Sequence, residues 1–136
     1  MSESITKDML NGVLKSKYIN LTTYRANGEG VPTPVMFAEV NNRLYVETRA
    51  SRYKVKRIIN NPDVQFSACT MRGKVNGSII KGKARILGSS EQDIAYKALR
   101  KRYFRFRLGD FLSKLSSSND KKKIDERVYL EIVPDT

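Results

Sequence analysis

The segment Thr48 to Arg57, TRASRYKVKR, holds five basic residues in ten: Arg49, Arg52, Lys54, Lys56 and Arg57. Val55, Ile58 and Ile59 stand at i, i+3 and i+4, the spacing of one helix face. Ser51 is placed to cap that helix, and Asn60-Asn61-Pro62 to stop it. Cations in a first helical turn oppose the helix dipole, at a cost of about 0.3–1 kcal/mol each. An anion bound at that end reverses the sign. Free backbone N–H groups, a capping hydroxyl and the Lys54 ammonium together make a cradle for phosphate. A solvated basic face on a basic protein accounts for the same pattern, and local spacing does not separate the two.

Three further features could carry chemistry. Tyr96 to Gly109, YKALRKRYFRFRLG, has six basic residues and no acid. Tyr96, Leu99, Tyr103 and Phe106 form an apolar seam on it, so its outside is basic and could meet nucleic acid. A core-packed helix with a solvated face is the plainer reading. Arg72-Gly73 pairs a cation with a flexible residue that could close over a ligand or simply turn. Cys69 sits in an alternating strand and reads as a small core residue rather than a reactive thiol.

What is missing narrows the chemistry. The chain has no histidine, so histidine-based nucleophilic catalysis and histidine metal sites are excluded. Its 14 acids are scattered, with no spacing suited to a metal or to a carboxylate pair. No side chain stands out as a catalytic group. A bound cofactor is therefore the expected carrier of any difficult chemistry.

The elements that must position these residues are short strands and two or three helices. Residues 5–14 have helical spacing. Strands are expected at Tyr18–Tyr24, Val31–Val40, Arg43–Thr48, Val64–Thr70, Ser78–Leu87 and Arg127–Val133. Pro32 and Pro34 keep the first half of the second strand out of a central ladder. Asn41-Asn42 and Asn76-Gly77 are hairpin signals. Gly82 marks a bulge or a close approach. A helix is expected over Ser90–Arg107, capped at Ser89 or Ser90, with a short one at Asp110–Leu115. Six strands joined mainly by hairpins predict a small antiparallel barrel with helices packed on it.

The 136 residues suit one domain. A net charge of +12 calls for an anionic partner without naming it. One cysteine, no apolar run long enough to span a membrane and no secretory pattern at the start point to a reducing, cytoplasmic setting.

Taken in order, the motifs resemble a known family. Gly30-x-Pro32-x-Pro34-Val35-x-Phe37 and Leu44-Tyr45-Val46 come first. Thr48-x-x-Ser51-x-x-Lys54-Val55-Lys56-Arg57-Ile58-x-Asn60-Asn61-Pro62 follows. Cys69-x-x-Arg72-Gly73, Gly77 and Gly82-Lys83-Ala84-Arg85 complete the series. The series resembles the pyridoxamine 5′-phosphate oxidase-like, FMN-binding split-barrel superfamily, and within it the short deazaflavin (coenzyme F-420)-dependent oxidoreductases.

The resemblance implies a mainly β fold with helices, a six-stranded antiparallel split β-barrel. It also implies a homodimer with two cofactor sites at the subunit interface. It implies that Thr48, Ser51 and Lys54 hold the phosphate of FMN or deazaflavin coenzyme F-420, with Lys56 and Arg57 nearby. Pro34, Val35 and Met36 would lie along the ring, and Arg72 beside them. The expected activity is hydride transfer to or from a small-molecule substrate. A non-catalytic flavin carrier is the alternative, and a nucleic-acid binder using Tyr96 to Arg107 is a third class. The chain lacks the tryptophan and histidine with which pyridoxamine phosphate oxidases grip their substrate, so that particular activity is not expected.

Overall fold

The computed structural model describes residues 10–70, 72–75, 77–103 and 126–135. Among them are seven strands, β1 (Tyr18–Tyr24), β2 (Gly30–Met36), β3 (Ala38–Val40), β4 (Arg43–Arg49), β5 (Asp63–Cys69), β6 (Ile80–Ile86) and β7 (Arg127–Pro134). Two helices, α1 (Tyr53–Asn60) and α2 (Gln92–Arg102), are inserted between them. Residues 10–14 are also helical. The strands form one antiparallel sheet in the order β2-β1-β5-β6-β7-β4-β3.

That order forces the sheet to curl. β2 and β3 lie at opposite edges, yet only Phe37 separates them in the chain. Six inter-strand steps of about 4.8 Å would hold flat edges nearly 30 Å apart, whereas one residue reaches only about 3.5 Å. The edges therefore meet at Phe37, and β2 contacts β4 across the seam. The result is an antiparallel half-barrel.

The sequence predicts six strands and the described residues form seven, because the expected strand Val31–Val40 breaks at Phe37. The break has a visible cause. Tyr103 donates its hydroxyl proton toward the Phe37 carbonyl at 2.5 Å and accepts from the Phe37 amide at 3.4 Å. Both backbone groups of Phe37 thus turn to a side chain rather than to a neighbouring strand. The prolines behave as expected, since β2 is an edge strand. Asn41 and Asn42 both adopt positive φ, 53° and 67°, as a two-residue hairpin with right-handed strand twist requires.

One face of the sheet buries Ile19, Leu21, Leu44, Val46, Phe66, Leu130 and Ile132, closed at one end by Ile58 of α1. The other face carries Ala38, Tyr45 and Tyr129 beneath Ala95, Leu99 and Tyr103. Gly82 is a point of close approach: a Cβ there would stand 2.7 Å from the Val133 carbonyl oxygen. Gly82→Ala should push β6 from β7 and cost about 1–3 kcal/mol in urea unfolding. An unchanged midpoint would show that the β6–β7 pairing yields freely.

α2 departs from its expected form. It starts at Gln92 with Glu91 as N-cap, not at Ser89 or Ser90, because Glu91 is held by Arg85 and by the Gly88 amide. The seam also turns: Tyr96 is 39% exposed and Arg100 is buried. Arg102 leaves the outer face too, donating to the Leu14 and Ser16 carbonyls. Phe106 and the expected helix Asp110–Leu115 lie outside the described residues.

Beneath α2 runs a buried polar layer. Tyr45 faces Glu131 and Tyr129 faces Glu47 across the β4–β7 pair, and each tyrosine donates to its glutamate, at 2.9 and 2.7 Å. Burial works to raise the Glu131 carboxyl, but hydrogen bonds from Tyr45, Arg85 and Arg43 outweigh it and hold the group below the usual carboxylate range. Glu91 is likewise pulled down, to about 2, by Arg85 and the Gly88 amide. Both groups bind protons more weakly folded than unfolded. Their stabilisation is therefore present above the unfolded carboxylate range and is lost as pH falls through the lowered values. The thermal midpoint should drop between about pH 4.5 and 2, and Glu131→Gln should flatten that slope. A wild-type midpoint independent of pH over this range would contradict the assignment.

Candidate functional site

β4 ends in a tight turn, the Arg52 amide donating to the Arg49 carbonyl at 3.1 Å. The Ala50 amide donates to the Glu126 carbonyl at 2.8 Å and ties this turn to the approach of β7. The turn consumes the residues up to Arg52, which stays extended (φ −68°, ψ 140°) and is the N-cap of α1. The sequence places that cap at Ser51, so the helix begins one step later than expected. Arg52 makes no side-chain capping bond, and the first turn contains no acid. The N-terminal end of α1 thus meets neither a capping oxygen from Arg52 nor a carboxylate of its own first turn.

α1 crosses the end of the sheet against β1 and β6. Val55 and Ile58 face the sheet, while Ile59 is 69% exposed, so the apolar face is narrower than its spacing predicts. Lys54 is half-buried and its ammonium is pushed down by burial, with Arg52 and Arg57 acting in the same direction. Arg57 is half-buried, and its Nε donates to Thr23 Oγ1 at 2.6 Å. Thr23 is fully buried on the side of β1 that carries Ile19 and Leu21. Burial lowers the proton affinity of Arg57, and Arg25 lowers it further. Among the described residues no carboxylate forms an ion pair with Arg52, Lys54 or Arg57. Thr48 is buried at the end of β4, and Ser51 is exposed in the turn. Lys56 is exposed, 6.0 Å from the Tyr53 ring centroid, on the outer side of α1.

Pro34, Val35 and Met36 form a second group on the edge strand β2. Pro34 is exposed, Val35 rests on the inner core and Met36 on the cluster beneath α2. After β5 the Thr70 amide donates to the Lys74 carbonyl and the Gly73 amide to the Thr70 carbonyl. Gly73 takes φ +89°, and a Cβ on it would stand 3.9 Å from Pro34 Cγ. This turn seats Gly73 against Pro34, with Arg72 exposed beside it. It also corrects the expected hairpin at Asn76-Gly77, since the chain has already reversed at Thr70 to Lys74; Asn76 itself lies outside the described residues. Cys69 is buried, and burial pushes its thiol up.

The two groups lie on strands far apart in the ladder and are brought nearer by the curl that lets β2 touch β4. A cleft of about 360 Å³ opens elsewhere, beside the β1–β2 turn, and is lined by Tyr24, Gly28, Asn61, Asp63, Lys81 and Lys83 among others. It contains none of the residues expected from sequence. Sequence reasoning also passed over Thr23 and Arg25. Thr23 was findable, because it continues the inward alternation of Ile19 and Leu21 and so implies a buried hydroxyl needing a partner. Arg25 sits in a turn and carries no such signal.

A family model described as pyridoxamine 5'-phosphate oxidase matches residues 5–136. The chain belongs to this family. No curated protein matches it. Among solved structures of the same fold, an FAD-binding protein from Mesorhizobium loti is 14% identical with a TM-score of 0.63, covering 96% of this chain and 89% of that one. An F420 reductase is 19% identical with a TM-score of 0.55, covering 91% of each chain. The heme storage protein HutZ from Vibrio cholerae is 14% identical with a TM-score of 0.62, covering 98% and 90%. These oxidase-family likenesses, at such identities, speak for the split-barrel fold.

Proposed function

We propose that the protein binds a phosphorylated flavin-type cofactor, FMN or deazaflavin coenzyme F-420, and acts as an oxidoreductase on a small molecule in the cytoplasm. One observation carries this reading. A half-buried lysine stands beside Arg52 at the start of α1, where the first turn holds no acid, with Arg57 three residues further along the helix, and among the described residues no carboxylate pairs with any of the three. Such an arrangement is costly alone and becomes favourable around a phosphate. Thr48, Ser51 and Lys54 would hold that phosphate, with Lys56 and Arg57 further along α1. Pro34, Val35, Met36 and Arg72 would line the ring. The cofactor supplies hydride transfer, while this chain's residues bind it, orient it and exclude water. A homodimer that completes the ring site from a second copy is part of the proposal.

The F420 reductase and the FAD-binding protein of the same fold support a flavin-type ligand, and the heme storage protein keeps a carrier role open. The basic α2 supports nucleic-acid binding less well than its sequence does, because Arg100 and Arg102 are spent on internal partners. Titration of the purified protein with FMN and, separately, coenzyme F-420 tests the reading by fluorescence. A micromolar or tighter Kd for either is expected. Absence of binding to both at 100-fold higher concentration would sink it.

A further inference from the structure

We infer that Arg57 and Arg25 form a second anion subsite, so that the site takes an extended ligand with two anionic groups rather than one. This rests on the phosphate reading of Lys54 given above. Lys54 and Arg57 are three residues apart on α1, a rise of about 4.5 Å, and lie on one side of the helix. Arg57 is not free to swing toward Lys54. Its Nε is fixed on the buried Thr23 hydroxyl at 2.6 Å, which holds the guanidinium at the β1 end of the helix. Arg25 follows Thr23 by two residues, just beyond β1, in a turn closed by the Arg25 amide to the Glu29 carbonyl and the Gly28 amide to the Arg25 carbonyl.

The charges leave this corner short of an anion. Among the described residues Arg25 pairs with Glu29, an exposed i,i+4 contact that a ligand can displace. Arg57 has no carboxylate partner among the described residues. The cleft beside the β1–β2 turn lies next to this corner: neither Arg25 nor Arg57 lines it, but its walls include Tyr24 and Gly28, before and after Arg25 in the chain, and Asn61 at the end of α1. Lys81 and Lys83 line it as well. Asp63 there is engaged by Lys83, and Asp135 is the remaining acid on its wall. A ligand whose first phosphate sits at Lys54 can run along α1, place a second phosphate or carboxylate at Arg57 and Arg25, and continue into this cleft.

Two inorganic probes separate the subsites without reference to any ring. Orthophosphate offers one anionic group and tripolyphosphate offers a chain long enough for both. Calorimetric titration of the full chain should show tripolyphosphate binding at least tenfold tighter than orthophosphate. Arg25→Gln should bring the two within twofold of each other and leave orthophosphate unchanged. Thr23→Val, which alters no charge, should do the same by releasing Arg57. Lys101→Gln, an exposed charge on α2, should affect neither. Equal loss of both probes in Arg25→Gln and Lys101→Gln would show a general charge effect and overturn the subsite, as would no loss in Arg25→Gln. Lys54→Gln tests the underlying reading by itself: it should weaken both probes, and if it weakens neither, the phosphate site fails whatever Arg25 does. Thermal midpoints of each variant confirm that folding is intact.

Discussion

Lys54→Glu will reduce cofactor affinity at least 100-fold, about 2.7 kcal/mol, while leaving the protein at least as heat-stable as before. The two effects share one cause. Lys54 stands between Arg52 and Arg57 with no carboxylate partner among the described residues, and burial and both neighbours work against its charge. A glutamate there offsets one of the two neighbouring positive charges and helps the dipole of α1, so repulsion within the cluster eases. The same carboxylate repels a phosphate from the place where the cations were gathered to receive it. Fluorescence titration and a thermal melt on one preparation read both signs. A Lys54→Glu protein that binds FMN or coenzyme F-420 with unchanged affinity would remove the site. One that loses affinity together with its thermal midpoint would mean that Lys54 is structural. Opposed signs are the mark of a site kept strained for a ligand.

Arg100→Leu will cost about 3–5 kcal/mol of folding stability, the largest loss expected from any single surface-helix change in this chain. Its guanidinium is 5% exposed and donates to Glu47 at 3.1 Å, itself 12% exposed. Tyr129 shares that carboxylate, and burial followed by the bond to Glu47 pushes its hydroxyl well above its ordinary range. Removing Arg100 takes the paired cation away from a largely buried carboxylate. The double variant Arg100→Leu with Glu47→Leu should recover most of the loss, because the unpaired charge goes with its partner. Urea midpoints of the two singles and the double give the coupling directly. Additive losses would mean that the pair does not act as a unit.

Much of the barrel can be read from residues. Strand alternation, the Asn41-Asn42 hairpin, the edge position of Pro32 and Pro34, and the close approach at Gly82 each follow from a local rule. What local rules miss are bonds between distant residues. Nothing around Phe37 announces a strand break, since its cause is a hydroxyl 66 residues away. Arg100 and Arg102 look solvated on a helical wheel, but Glu47 and the Leu14 and Ser16 carbonyls draw them inward. The cation cluster was visible because it is contiguous. Its capping residue shifted because the preceding turn, not Ser51, sets where α1 begins. Thr23 and Arg25 joined it only through the fold.

The position of β7 has a consequence for how the chain reaches this state. β7 follows the other strands in sequence but lies inside the sheet, paired to β6 on one side and to β4 on the other. Its bond between Tyr129 and Glu47 spans 82 residues. Until Arg127–Pro134 docks, β4 and β6 each present an open edge, and neither is guarded by proline as β2 is. Folding should accordingly be slow, with loop closure rather than hairpin formation setting the rate. A chain opened at β7 would expose both edges at once, and in that form two chains could pair by mistake.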